Sequence, residues 1–163
     1  MKQLYLIGGP MGVGKTTVCQ LMKQQCNNSV FLDGDWCWDA HPFQVTEETK
    51  SMVMENICFL LNQFLRCSAY ETIIFCWVLH EQEILDQLLS KLEGEYQLHS
   101  ISLLASPEEL CRRLQKDIDA GLRESSLIQR SLERLPLYNA VDSRKIDCSN
   151  STPLDCVRQI LQD

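Results

Sequence analysis

The sequence predicts an α/β domain with a parallel sheet covered by helices on both faces. Three observations carry this expectation. Short apolar runs alternate with amphipathic segments of helical period along the whole chain. The first apolar run leads straight into Gly9-Pro10-Met11-Gly12-Val13-Gly14-Lys15-Thr16-Thr17, which fits G-x-x-x-x-G-K-[ST] and opens a helix. The second apolar run closes on Asp33-Gly34-Asp35. Both polar stretches therefore fall at the carboxyl ends of strands, the edge where such sheets hold ligands.

Each element follows from local pattern. Leu4-Tyr5-Leu6-Ile7 reads as a buried strand, and Val18, Leu21 and Met22 give the first helix, about 14–26, an apolar face. Asn27-Asn28 marks a turn before the strand Ser29-Val30-Phe31-Leu32. An aromatic loop with Trp36, Trp38 and Phe43 precedes a long helix from Thr46 to about Cys67. Thr46 can cap that helix, Thr49 stands where a capping box prefers Glu, and Glu47 and Glu48 suit its N-terminus. Thr72-Ile73-Ile74-Phe75-Cys76-Trp77-Val78 is almost wholly apolar, which predicts a strand inside the sheet. Ile84, Leu85, Leu88, Leu89 and Leu92 mark a helix closed near Gly94. A fourth strand is expected from His99 to Leu104, and Ser106-Pro107 starts the next helix, rich in arginine. Gly121 interrupts that pattern, and a further helical segment runs from about Ser125 to Leu135. Arg144 to Cys148 reads as the fifth strand, and Pro153 opens a terminal helix with Val157, Ile160 and Leu161.

Composition narrows the function classes. The 163 residues suffice for one domain with a real core. Fifteen basic against twenty-two acidic residues give a formal charge of −7, which argues against general nucleic-acid affinity. Yet eight of the fifteen basic residues fall between positions 110 and 145, so a local anion is expected there. No leader and no apolar run of membrane-spanning length is visible. Nine cysteines without a Cys-x-x-Cys pair read as buried reduced thiols of a cytoplasmic protein rather than as a zinc site. No obligatory protein partner is evident.

The glycine-rich stretch carries the chemistry. Gly9, Gly12 and Gly14 let the backbone wrap phosphates and turn N–H groups inward, with Val13 and Thr17 completing the cradle. The helix N-terminus adds partial positive charge. Lys15 would reach the β- and γ-phosphates of ATP, and the Thr16 hydroxyl would hold Mg²⁺. Transfer to an alcohol also needs a group that organises the metal and one that receives the hydroxyl proton. Asp33 is assigned to Mg²⁺ and Asp35 to the acceptor hydroxyl. The third strand ends in Phe75-Cys76-Trp77 and has no carboxylate of its own, which makes a metal role for Asp33 more necessary. Trp36, beside Asp35, offers a stacking surface for an acceptor ring or simply packs the domain.

The phosphate loop, Asp33-x-Asp35, the arginine-rich fourth helix and Glu133-Arg134-x-Pro136-Leu137-Tyr138 together resemble the shikimate-kinase-like group of small phosphate-loop kinases. Gluconate kinases and chloramphenicol phosphotransferase belong to that group. The resemblance implies a single three-layer P-loop kinase domain over residues 1–163, its five parallel strands ordered 2-3-1-4-5, with a mobile lid at about 113–130. It implies Arg113 (or Arg112) near the adenine, Arg123 as the lid arginine on the transferred phosphate, and Arg134 on an anionic group of the acceptor. Two features depart from the group. Trp77-Val78-Leu79 replaces a triple glycine, and a Phe-Arg pair of the second helical region is missing, so shikimate itself is not expected. The leading expectation is an ATP-dependent kinase acting on a hydroxyl of a small molecule. A nucleoside or nucleotide kinase is the second, favoured by the aromatic loop. An ATP-binding switch or interaction protein without an acceptor is the third, and Asp35 and the lid arginines speak against it.

Overall fold

A computed structural model describes residues 1–162. Five strands form one parallel sheet: β1 (Lys2–Gly8), β2 (Ser29–Asp33), β3 (Thr72–Cys76), β4 (Tyr96–Leu104) and β5 (Arg144–Asp147), in the order β2-β3-β1-β4-β5. Six α-helices connect them: α1 (Lys15–Gln25), α2 (Glu47–Arg66), α3 (Gln82–Ser90), α4 (Pro107–Asp119), α5 (Ser126–Arg134) and α6 (Pro153–Ile160). The predicted class and strand order are those observed.

The alternation of side chains along the strands divides the core into two layers. Leu4 and Leu6 of β1, with Ile73 and Phe75 of β3, pack against Val53, Ile57 and Leu61 of α2 and Leu85 and Leu88 of α3. Tyr5 and Ile7, with Ile74 and Cys76, pack on the opposite face against Val18 and Met22 of α1, Leu110 and Leu114 of α4, and Val157 and Ile160 of α6. Central strands buried on both faces explain why β1 and β3 read as continuous apolar runs.

Several boundaries differ from the sequence expectation, among them α3, which ends at Ser90 rather than near Gly94. β4 begins at Tyr96 rather than His99, because Tyr96-Gln97-Leu98 extends the parallel register with Lys2-Gln3-Leu4 at the exposed lower edge. Backbone pairing holds those residues, and an apolar pattern does not report it. β3 ends at Cys76 rather than Val78: Trp77 N–H still donates to the Ile7 carbonyl at 3.1 Å, but the chain then turns away through Leu79, whose φ is +40°. The helix before Pro136 ends at Arg134 and tightens into a 3₁₀ segment, Leu135–Ala140.

Capping distinguishes α1, whose start faces the ligand edge, from α2, α4 and α6. Thr46 and Thr152 close capping boxes on α2 and α6, and Ser106 caps α4. The box at Thr46 forms with Thr49 in the place of a Glu, since the Thr49 hydroxyl accepts from the Thr46 N–H at 2.8 Å. By contrast α1 starts at Gly14 with no side-chain cap and no acidic residue in its first turn. Its first N–H groups are left for an anion.

Candidate active site

The loop between β1 and α1, the end of β2, the α4–α5 turn and the start of α6 enclose a cavity of about 580 Å³. Gly12, Val13, Gly14, Lys15, Thr16, Thr17, Asp33, Asp35, Arg113 and Arg123 all line it, so most of the site residues inferred from sequence meet there. Gly9 stands one step back, at the base of the loop. Gly12 has φ +87°, and a Cβ there would lie 2.6 Å from Leu114 Cδ2, so the loop rests directly on α4. Ser131 of α5 is buried and donates to the Met11 carbonyl at 3.4 Å, which ties a second helix to the loop.

Lys15 points back along the loop, its Nζ donating to the carbonyls of Gly9 (2.7 Å) and Pro10 (3.0 Å). Its removal from water lowers the ammonium pKa, opposed mainly by Cys76, Asp35 and Asp33. An anion brought to Lys15 therefore meets a poorly hydrated cation, where a charge-assisted contact is strongest.

The Thr16 hydroxyl donates to Asp33 Oδ2 at 2.7 Å, and Asp33 Oδ1 accepts the N–H of Asp35 at 3.0 Å. Asp33 is thereby buried and oriented, while Asp35, one residue into the 3₁₀ turn Gly34–Cys37, opens to the cavity. Partial desolvation and then the charge of Asp33 raise the Asp35 carboxyl pKa, and Lys15, Arg123 and the Trp77 indole pull it the other way. Hydroxyl and carboxylate oxygens are hard donors, and among the described residues no cluster of three or more ligating side chains exists. Such a set fits Mg²⁺, which keeps waters and takes phosphate oxygens rather than an all-protein cage.

Arginines close the other sides. Arg113 spends its donors on protein: Nε on Glu109 (2.8 Å), one terminal nitrogen on the Val13 carbonyl (3.0 Å) and the other on the Cys148 carbonyl (2.7 Å). It thus braces the loop against the end of β5. Arg112 also pairs with Glu109, and the two guanidinium groups hold that carboxyl at about 2. Arg123 reaches the cavity from the turn at 120–125, its Nε 2.9 Å from Asp117 Oδ2. The expected lid at 113–130 is helical apart from that turn, and Ile128 packs on the core.

Two expected acceptor residues lie elsewhere. Trp36 does not line the cavity; it is 55% exposed, with its ring edge-on to Phe31 at 5.2 Å. Arg134 opens on a separate groove of about 680 Å³ between α2 and α3, beside His80. Among the described residues Arg134 has no ion-pair partner; Glu133 is engaged with Gln129 instead. Burial and then Arg134 lower the His80 pKa, and its Nδ1 is buried without a hydrogen bond. Sequence reasoning assigned no role to the Trp77 indole over Asp33-Gly34-Asp35 or to His80, and it missed the far wall of Cys148, Ser151, Pro153 and Cys156. Their only signal was their place just after strands, at the carboxyl edge of the sheet.

A family model described as "AAA domain" matches residues 6–130. Among curated proteins none matches the sequence significantly. Solved structures similar to the chain include a gluconokinase from Sinorhizobium meliloti, 20% identical, covering 98% of this chain and 90% of that one with a TM-score of 0.73. A tunicamycin resistance protein from Deinococcus radiodurans is 16% identical, over 99% and 95% of the two chains, with a TM-score of 0.76. A shikimate kinase from Aquifex aeolicus is 19% identical, over 98% and 94%, with a TM-score of 0.61. At these identities the likeness shows the fold alone.

Proposed function

The chain belongs to the AAA-domain family whose model it matches over residues 6–130, and we propose that it is an ATP-dependent phosphotransferase acting on a hydroxyl of a small molecule. One observation carries this reading: Asp35 opens into the same cavity as Lys15, Thr16 and Arg123. A protein that merely holds a nucleotide needs no free carboxylate beside the phosphate loop. The neighbours that are by name a gluconokinase and a shikimate kinase support the class of reaction.

The roles follow from the geometry. The uncapped start of α1 and the loop N–H groups bind the phosphates, and Lys15 swings from the Gly9 and Pro10 carbonyls to the terminal ones. Thr16 and Asp33 would hold Mg²⁺, which neutralises charge on the phosphates when bound. Asp35 accepts the proton of the acceptor hydroxyl. Arg123 leaves Asp117 to meet the transferred group, carried by the turn at 120–125 as a small lid. Arg113 shapes the wall toward the base. An acceptor long enough to reach beyond the cavity could place an anionic group in the separate groove where Arg134 has no ion-pair partner among the described residues. No helix among the described residues is long and apolar enough to cross a membrane, and nine unpaired thiols suit a reducing compartment such as the cytoplasm.

The test is a screen of hydroxylated small molecules for acceptor-dependent ADP release with Mg²⁺-ATP. Lys15→Ala serves as the blank, because it removes the cation on the terminal phosphates and should abolish turnover with the fold retained. Acceptor-dependent release that persists in Lys15→Ala would defeat the assignment. A nucleoside acceptor is the second reading, favoured by the exposed indole of Trp36 next to Asp35; nucleosides belong in the same screen.

A further inference from the structure

Cys148 and Cys156 face each other at the end of the cavity remote from Asp35. Their Sγ atoms stand 3.1 Å apart, eight positions apart in sequence. Cys148 directly follows β5, and Cys156 lies near the N-terminus of α6. Both are almost wholly buried, at 1% and 2% exposure, and both form part of the cavity wall together with Ser151 and Pro153. The Arg113 guanidinium reaches the same corner through the Cys148 carbonyl.

From this juxtaposition we infer that Cys148 and Cys156 form a redox-active dithiol, converted to an intramolecular disulfide by peroxide that enters through the cavity. Cys156 is the attacking sulfur. A hydrogen bond with Cys148 and the nearby guanidinium hold its thiol below the ordinary range, and the start of α6 favours the thiolate as well. The Cys156 thiolate attacks one peroxide oxygen, the O–O bond breaks, and hydroxide leaves to take up a proton as water, giving a sulfenic acid. The Cys148 sulfur then attacks Cys156 Sγ and displaces hydroxide, which takes the Cys148 proton and leaves as a second water. Two thiols lose two electrons and two protons, and one peroxide becomes two waters. A small-molecule dithiol reverses the step by exchange.

A second sulfur pair supplies a contrast inside the same molecule. Cys19 and Cys76 are also hydrogen-bonded to each other, but both are fully buried and neither lines the cavity. They should stay reduced. The disulfide would tie the end of β5 to α6 and stiffen residues 149–155, a wall of the cavity.

The experiment oxidises the reduced full chain with hydrogen peroxide, alkylates remaining thiols and maps the peptides. The expected result is a Cys148–Cys156 disulfide, reversed by dithiothreitol, with Cys19 and Cys76 alkylated. Cys148→Ser should stop at an oxygen adduct on Cys156. With Mg²⁺-ATP bound, as measured by calorimetry, the disulfide should form about tenfold more slowly, since thiol reactivity follows access. Oxygen adducts on both thiols without a bond between them, or pairing of Cys19 with Cys76, would overturn the inference. So would an unchanged rate with nucleotide bound. Failure of nucleotide binding in the calorimeter would instead count against the phosphotransferase reading, and the peptide map would still decide this one.

Discussion

Gly34 lies directly against the indole of Trp77: a Cβ built at Gly34 would stand 2.5 Å from the ring's Cγ and 2.6 Å from Cδ1. The glycine of Asp33-Gly34-Asp35 is therefore set by a close approach from Trp77, the residue just after the neighbouring strand β3. The ring in turn sits where its N–H favours the Asp35 carboxylate. Gly34→Ala must push either the indole or the 3₁₀ turn aside and so shift Asp35. ATP binding should stay within a few-fold, because the phosphate loop is untouched. Transfer should fall about 10²-fold, the scale of an ångström-size misplacement. Calorimetry and steady-state rates separate the two; an unchanged rate would mean that the indole does not position Asp35.

The same contact shows where sequence reading stops. Lys15 and Thr16 could be placed because the phosphate-loop pattern couples residue type to backbone position over eight consecutive residues, and Asp33 because it closes an apolar run at the carboxyl edge of the sheet. The strand order was legible through the resemblance, and the two-layer core through unbroken apolar runs such as Thr72–Cys76. Trp77 was not, because its role depends on which residue the adjacent strand presents, and spacing within one strand does not encode that. Arg134 was placed with the acceptor by the resemblance, and the fold sets it beside His80, in a groove apart from Asp35. Cys148 and Cys156 looked like ordinary buried thiols, since only the fold of β5 onto α6 brings their sulfurs together.

As the proposed proton acceptor, Asp35 would link transfer to pH. Partial burial and then the charge of Asp33 raise its carboxyl pKa from the ordinary value in the folded protein. Between the unfolded value, about 3.9 for Asp, and the raised one, the folded chain holds more protons than the unfolded chain. Stability therefore falls as pH rises through that window, and the penalty is complete above it. Asp35→Asn removes the penalty, so its Tm should exceed that of the wild type at neutral pH, with the gain vanishing on acidification below the unfolded value. Its transfer rate should drop by roughly 10²–10⁴, the usual share of an acid–base group. A lower Tm at neutral pH would contradict the strained-carboxylate picture, and a full rate would remove the base.

Tyr138 fastens the site from behind. Its ring is fully buried, and its hydroxyl donates to the Val78 carbonyl at 2.6 Å, the same carbonyl that accepts the Gly9 N–H at 3.3 Å. Tyr138→Phe keeps the packing and deletes the donor. Val78 retains one partner, so the loss of stability should be modest, about 1 kcal/mol. Urea denaturation measures it; a cost near zero would mean that the Gly9 contact alone satisfies the carbonyl.

On the proposed reading, Arg134 selects the kind of acceptor. It ends α5, and the 3₁₀ segment that follows, opened by Leu135-Pro136, sets the direction in which it leaves the helix. No carboxylate among the described residues pairs with it, although Glu81 and Glu83 line the same groove. A guanidinium without a partner in a concave surface is suited to an anion from outside, and its planar fork can hold a carboxylate or phosphate through two parallel bonds. Lysine keeps the charge and loses the fork. Arg134→Lys should therefore raise the acceptor KM about tenfold or more, on the scale of one lost charge-assisted bond, while the ATP KM stays put. Steady-state kinetics with the acceptor found by the screen makes the comparison. Equal effects on both substrates, or a neutral acceptor, would take Arg134 out of the site and leave selectivity to Trp36 and the residues around Asp35.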